Sequence, residues 1–114
     1  MPISVPTTRQ NLADRYASLG TFFGTATANP GTSATPANES TGGGYARLAT
    51  TWSSSSGGTV NGTAITISVP ASTITWAIFC SAATGNNMLD SADVVDTVFS
   101  TAGQAVITPT FSIT

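Results

Sequence analysis

Asn38-Glu39-Ser40-Thr41-Gly42-Gly43-Gly44-Tyr45-Ala46-Arg47 is a polar turn followed by three glycines that open directly into a strand. Glycine tolerates positive φ and close backbone approach, so three in a row mark a sharp reversal rather than an ordinary linker. In Tyr45-Ala46-Arg47-Leu48-Ala49-Thr50-Thr51-Trp52 the residues alternate. Ala46, Leu48 and Trp52 fall on one face and Tyr45, Arg47 and Thr51 on the other, the period-two pattern of a half-buried strand. This reading puts Leu48 and Trp52 in the core and divides the chain into a short helical front and an all-β remainder.

Ahead of the turn, Pro2 and Pro6 bracket Ile3 and Val5, which predicts an extended apolar arm over residues 1–7. The arm is expected to dock on its own domain or on a neighbour, with Ile3 and Val5 as its contact residues. Thr7 stands three residues before Gln10 at capping-box spacing, and Leu12, Tyr16 and Leu19 recur at helical intervals before Gly20. A helix over about residues 8–19 is expected, with that stripe facing the core. Thr21–Thr27 reads as a strand ended by the Asn29-Pro30-Gly31 turn.

Beyond the turn, Thr63–Val69 alternates with Ile65, Ile67 and Val69 inward, and Pro70 closes it. Ile74–Cys80 is apolar on both faces, as a central covered strand would be. Thr84-Gly85-Asn86-Asn87 is a turn, followed by short strands at Met88-Leu89, Val94–Phe99, Ala105–Thr108 and Thr110–Ile113. Short strands joined by turns predict an antiparallel β-sandwich or jelly-roll-like barrel carrying one short N-terminal α-helix, a single domain over residues 8–114.

Composition narrows the chemistry. Of 114 residues only 7% are charged, there is no His, and all three basic side chains are Arg, for a net charge of −2. A chain with no basic patch has little with which to neutralise phosphates, so neither nucleic acid nor an anionic membrane is an expected partner. The absence of His removes Ser-His and Cys-His nucleophile pairs and the commonest transition-metal ligand, so the chain is not expected to be an enzyme and no cofactor is assigned. Cys80 lies on an apolar strand and reads as a core thiol. Asp90, Asp93 and Asp96 lack the ligand alternation of a calcium loop and read as turn-capping and strand-flanking acids. Gly42-Gly43-Gly44 is followed by a strand and no Lys, which argues against a phosphate loop. A structural part suits it better: Glu39 and Arg47 are expected to pair across the base of the turn, making Glu39, Gly42, Gly43, Gly44 and Arg47 the structural centre of the fold.

With these residues in view, the chain resembles a family of small virion proteins from tailed phages of actinobacteria, labelled phage tail fibre proteins and including capsid decoration and minor capsid proteins. The resemblance runs from the helix to the C-terminus. It is carried by Thr25-Ala26-Thr27-Ala28-Asn29-Pro30-Gly31, by Asn38-Glu39 through Gly42-Gly43-Gly44-Tyr45-Ala46-Arg47, and by Thr73–Phe79 with Ala82-Ala83-Thr84-Gly85. Members often carry His and Asp around the first and central strands, where this chain has Ala26, Thr27 and Trp76, and Cys80-Ser81. The resemblance therefore implies fold and virion membership more than any ligand.

What it implies is a structural virion protein, with a capsid decoration protein on the outside of the assembled head as the first reading. Its partners would be the major capsid protein and copies of itself, as a trimer ahead of a dimer. The protein would be made in the bacterial cytoplasm, as the first six residues do not resemble a signal peptide. Many copies on a lattice would compensate for interfaces of only about 1,200–2,000 Å² each. The alternative is a tail fibre or receptor-binding module, with Tyr45, Trp52 or Trp76 stacking on a host glycan.

Overall fold

The computed structural model describes residues 2–114. One helix, α1 (Pro6–Ser18), precedes nine strands: β1 (Phe22–Ala26), β2 (Leu48–Ala49), β3 (Trp52–Ser54), β4 (Thr59–Gly62), β5 (Ile65–Val69), β6 (Ser72–Cys80), β7 (Met88–Phe99), β8 (Gly103–Ile107) and β9 (Thr110–Ser112). Every pairing is antiparallel. The strands form a four-stranded sheet in the order β2-β1-β6-β7, a three-stranded sheet β3-β4-β9 and a two-stranded sheet β5-β8. The fold is the β-sandwich with a short leading helix that the strand spacing predicts.

The core follows from local alternation. Ile65, Ile67 and Val69 of β5 point inward and meet Phe23, Ile74 and Phe79 from the four-stranded sheet. Ile78, Cys80, Ala26 and Met88 cluster separately, so β6 contributes to two apolar clusters, as its unbroken apolar run requires. Phe79 lies 4.9 Å from Phe23 and 5.0 Å from Tyr16 between ring centroids, and Tyr16 stacks on Phe111 at 3.6 Å.

Several details depart from the sequence reading. α1 begins at Pro6, whose missing N–H costs nothing in a first turn, and its N-cap Val5 makes no side-chain cap bond. Gln10 is not a capping-box partner. Its amide instead reaches across to the β3–β4 turn, where Oε1 accepts from the N–H groups of Gly58 and Thr59 at 3.0 and 3.2 Å and Nε2 donates to the Thr59 carbonyl at 3.0 Å. The helix is consequently rolled so that Ala13 is fully buried and Tyr16 half-buried, while Leu12 and Leu19 stay exposed.

The segment Tyr45–Trp52 is not one strand. β2 covers only Leu48 and Ala49, and the chain then crosses from the four-stranded to the three-stranded sheet at Thr50, which is buried and held by the carbonyls of Thr21, through its own N–H, and Thr63, through its hydroxyl. The period restarts at that crossing. Arg47 and Thr50 therefore point inward, Ala46 and Leu48 are exposed, and Trp52 is half-buried with its indole N–H donating to the Gly20 carbonyl at 3.0 Å.

Met88–Phe99 is one strand rather than two. Pairing with β6 runs through the acids, with two irregularities: Ile74 opposes Thr97 while Trp76 opposes Asp93, and Phe79 opposes Asp90 while Cys80 opposes Met88. The surplus residues form bulges, which bend the strand and increase its twist without ending it. Accordingly Asp90, Asp93 and Asp96 are strand residues and not turn caps.

Candidate functional site

The residues singled out around the glycine run come together at one end of β1. Gly42, Gly43 and Gly44 all have positive φ, at 83°, 63° and 78°, and the reversal is closed by Tyr45 N–H donating to the Gly42 carbonyl at 3.0 Å. Asn38, the one described residue other than glycine with positive φ, at 61°, turns the chain so that Glu39 bridges Ala26 beyond the end of β2. Ser40 N–H donates to the Thr25 carbonyl at 2.9 Å, and the Thr25 and Ser40 hydroxyls meet at 2.8 Å in the interior. The loop is thus stitched to β1 before the glycines release it.

Arg47 is the hub. Its Nε and Nη2 donate to Oε2 and Oε1 of Glu39 at 2.8 and 2.9 Å, the parallel two-bond geometry of a guanidinium on a carboxylate. Nη2 also donates to the Gly85 carbonyl at 3.0 Å, and Nη1 to the Ala82 carbonyl at 3.2 Å and Asn87 Oδ1 at 3.1 Å. A guanidinium has five N–H donors, and five hydrogen bonds leave none free for an external anion. Only 3% of the Arg47 side chain is exposed, against 21% for Glu39.

Tyr45 completes the cluster. Its hydroxyl donates to Glu39 Oε2 at 2.7 Å and accepts from Thr25 N–H at 3.2 Å. Burial alone would raise the Glu39 carboxyl, but the hydrogen bonds from Arg47 and Tyr45 outweigh it and hold the group below its ordinary range. The Tyr45 phenol is pushed up, first by burial and then by the carboxylate it donates to. The Glu39 hydrogen bond stabilises the Arg47 cation against its own desolvation. Three sequence segments, 38–47, the end of β1 and the 82–87 turn, are thereby fastened at one charge pair, beside a surface depression of about 290 Å³.

The remaining candidates lie elsewhere. Ile3 N–H donates to the Thr114 carbonyl at 3.3 Å and the Ile3 carbonyl accepts from Arg9, while Val5 is 55% exposed. Asp90 Oδ2 accepts from the Tyr16 hydroxyl at 2.8 Å. Among the described residues no three His, Cys, Asp or Glu side chains gather as a metal site, and no helix is long and apolar enough to cross a membrane. Cys80 is buried, and burial lifts its thiol to about 11.

The sequence reading gave Tyr45, Asn87 and Gln10 other parts: Tyr45 as a residue that could stack on a glycan, Asn87 as a turn residue and Gln10 as a capping-box partner. Tyr45 falls on the strand face read as outward, and nothing near Asn87 in the chain signals its bond to a residue 40 positions away.

The parts of the chain that meet at Arg47, the Glu39-to-Arg47 turn and the Ala82-to-Gly85 turn, are those that carry the resemblance to phage virion proteins. Residues 12–113 match a family model described as Podophage GP4 fiber I protein gp80. No curated protein and no solved structure matches the chain. The match is to phage fibre proteins and bears neither an actinobacterial origin nor a place on the capsid. The chain is a structural protein of the phage virion, and it belongs to the podophage GP4 fiber I protein gp80 family.

Proposed function

We propose that this protein is a non-enzymatic structural subunit of the fibre apparatus of a phage tail. The observation that carries the reading is the family match over residues 12–113, whose description is of a fibre protein. The geometry of the charge cluster supports the non-enzymatic part. Arg47, Glu39 and Tyr45 spend their hydrogen bonds on one another and on the turn 82–87, as groups do when they fix a fold. Catalytic groups, in contrast, keep a donor or acceptor aimed at a substrate position.

Decoration of the head with the major capsid protein as partner, the first reading of the sequence, is the competing location. Gold-labelled antibody on intact particles, with the copy number from quantitative gel staining, separates the two. Label at the tail and a small copy number are expected. Label spread over the head at hundreds of copies would overturn the fibre reading.

A further inference from the structure

The carboxamide of Gln10 on α1 is held on every side. Its Oε1 accepts from the N–H groups of Gly58 and Thr59 at 3.0 and 3.2 Å, donors that can face only the oxygen of an amide. Around Nε2 stand Asp14 Oδ1 at 2.9 Å, the Thr59 carbonyl at 3.0 Å and Ser54 Oγ at 3.1 Å. An amide nitrogen has two hydrogens, so one of these three acceptors is surplus. Ser54 is the most distant, and its lone pairs are left against the amide, one bond from the carbonyl carbon. The hydroxyl hydrogen is directed away, onto Asp14 Oδ1 at 2.8 Å. A hydroxyl with its proton on a carboxylate, touching a carbonyl group whose oxygen sits between two backbone donors, has the parts of a nucleophile, a base and an oxyanion hole.

The local backbone is shaped to hold these parts. Gly57 and Gly58 take positive φ, 78° and 113°, and a Cβ on Gly58 would stand 2.6 Å from the Ile113 carbonyl. Arg9 Nε fixes the same turn by donating to the Gly57 carbonyl at 2.8 Å. One helical turn puts Gln10 and Asp14 on the same face of α1. Ser54 and Asp14 are exposed, which leaves a small product free to depart.

We infer that Ser54 and Gln10 join as an internal ester that fastens α1 to β3, 44 residues apart in the chain. Asp14 takes the proton of Ser54 Oγ, Oγ bonds to Gln10 Cδ, and the negative charge passes to Oε1 between the Gly58 and Thr59 N–H groups. The carbonyl then re-forms and the Cδ–Nε2 bond breaks, its electron pair leaving on nitrogen. Asp14 gives the proton to that nitrogen, and one ammonia departs. No oxidant, reductant or second substrate enters, and the step occurs once per chain. Fixed neighbours supply what an unactivated amide otherwise lacks, since well-oriented groups reach effective molarities of about 10⁵–10⁸ M. The chain has one Cys and no Lys, so neither an internal disulfide nor an amide tie from a lysine is open to it. Hydroxyl and carboxamide are the groups left for a covalent staple.

The test is the mass of the intact protein, and it stands apart from where the protein sits on the particle. The wild type, purified folded, is expected to weigh one ammonia less than the same chain unreacted. Ser54→Ala, Gln10→Ala and Asp14→Asn are expected to show no such loss, with the wild-type circular dichroism. Trypsin can cut this chain only after Arg9, Arg15 and Arg47. A digest of the unfolded wild type should therefore contain residues 10–15 joined to residues 48–114, and mild alkali should part them, with a carboxylate where the Gln10 amide stood. Wild-type protein without the joined peptides would overturn the inference, whether it has full mass or has lost ammonia to water at Gln10 or at another residue. Joined peptides that persist in Ser54→Ala would overturn it equally.

Discussion

The hydroxyl of Tyr45 occupies the space in which a Cβ on Gly24 would stand. Gly24 is in the middle of β1, paired with Ile78 of β6, and the missing side chain lets the phenol lie over the strand and reach both Glu39 and Thr25. The same missing Cβ would come within 3.2 Å of Arg47 and of Ile78. A glycine in a strand interior ordinarily weakens the sheet, and here it is the condition for the charge cluster.

Gly24→Ala is therefore expected to destabilise the fold by about 1–3 kcal/mol, the usual range for overpacking, with loss of the Tyr45 hydrogen bonds in addition. Removing the obstructing hydroxyl should return part of that loss. In a double-mutant cycle with Tyr45→Phe, measured by urea denaturation, the two losses should be less than additive. Simple additivity would show that the phenol and the glycine do not share one space.

Arg47→Ala is expected to cost about 3–5 kcal/mol, the range for breaking a buried pair by removing one partner. An exposed pair would lose only about 0–1 kcal/mol. The substitution strands the Glu39 carboxylate and leaves the Ala82 and Gly85 carbonyls and Asn87 short of a donor. Arg47→Lys keeps the charge but not the two-bond fork, and should fall between the wild type and Arg47→Ala. The shift in denaturation midpoint at constant slope is the readout.

The three glycines should not respond alike to alanine. At Gly42 a Cβ meets no atom within 4 Å, so Gly42→Ala bears only the left-handed backbone cost of about 1–2 kcal/mol. At Gly43 the same cost is joined by a Cβ 2.7 Å from both the backbone N and Cα of Pro70. Gly43→Ala should melt lower than Gly42→Ala, and equal melting temperatures would mean the turn is free of Pro70.

Stability should be lost on both sides of neutral pH, for different groups. The Glu39 carboxyl is held below its ordinary value of 4.5 in the folded state. Its contribution is complete above 4.5 and disappears as pH falls through the lower folded value, because the unfolded chain takes up the proton first. On the alkaline side Cys80 is raised from 9.0 to about 11, and Tyr16 and Tyr45 lie above their ordinary 10.0. Those contributions are intact below the ordinary values and decline as pH rises past them. Denaturation midpoints across pH should form a plateau falling at both ends, and Glu39→Gln should flatten the acid limb and also shrink the part of the alkaline limb that the carboxylate imposes on Tyr45 and Cys80, leaving the part due to burial.

Period-two alternation is a property of a few adjacent residues, and it sufficed for β5, for the two-sided burial of β6 and for the sandwich class. The glycine reversal was legible for the same reason, since positive φ is a local demand that few other residues meet. The family resemblance also lay in those turns. Alternation separates the two faces of a segment but does not say which is inward. Only the folded chain decided that Arg47 and Thr50 go in and Leu48 stays out, because the partners that make a buried arginine affordable, Glu39 and the 82–87 turn, lie 8 and 35 to 40 residues away. Tertiary pairing with β6 likewise carried β7 through three aspartates that looked like strand ends, absorbing the mismatch in bulges. What the sequence determined by itself was the set of local geometries, set by backbone sterics and side-chain periodicity. Which surfaces meet is set by long-range burial and hydrogen-bond satisfaction that no short stretch contains.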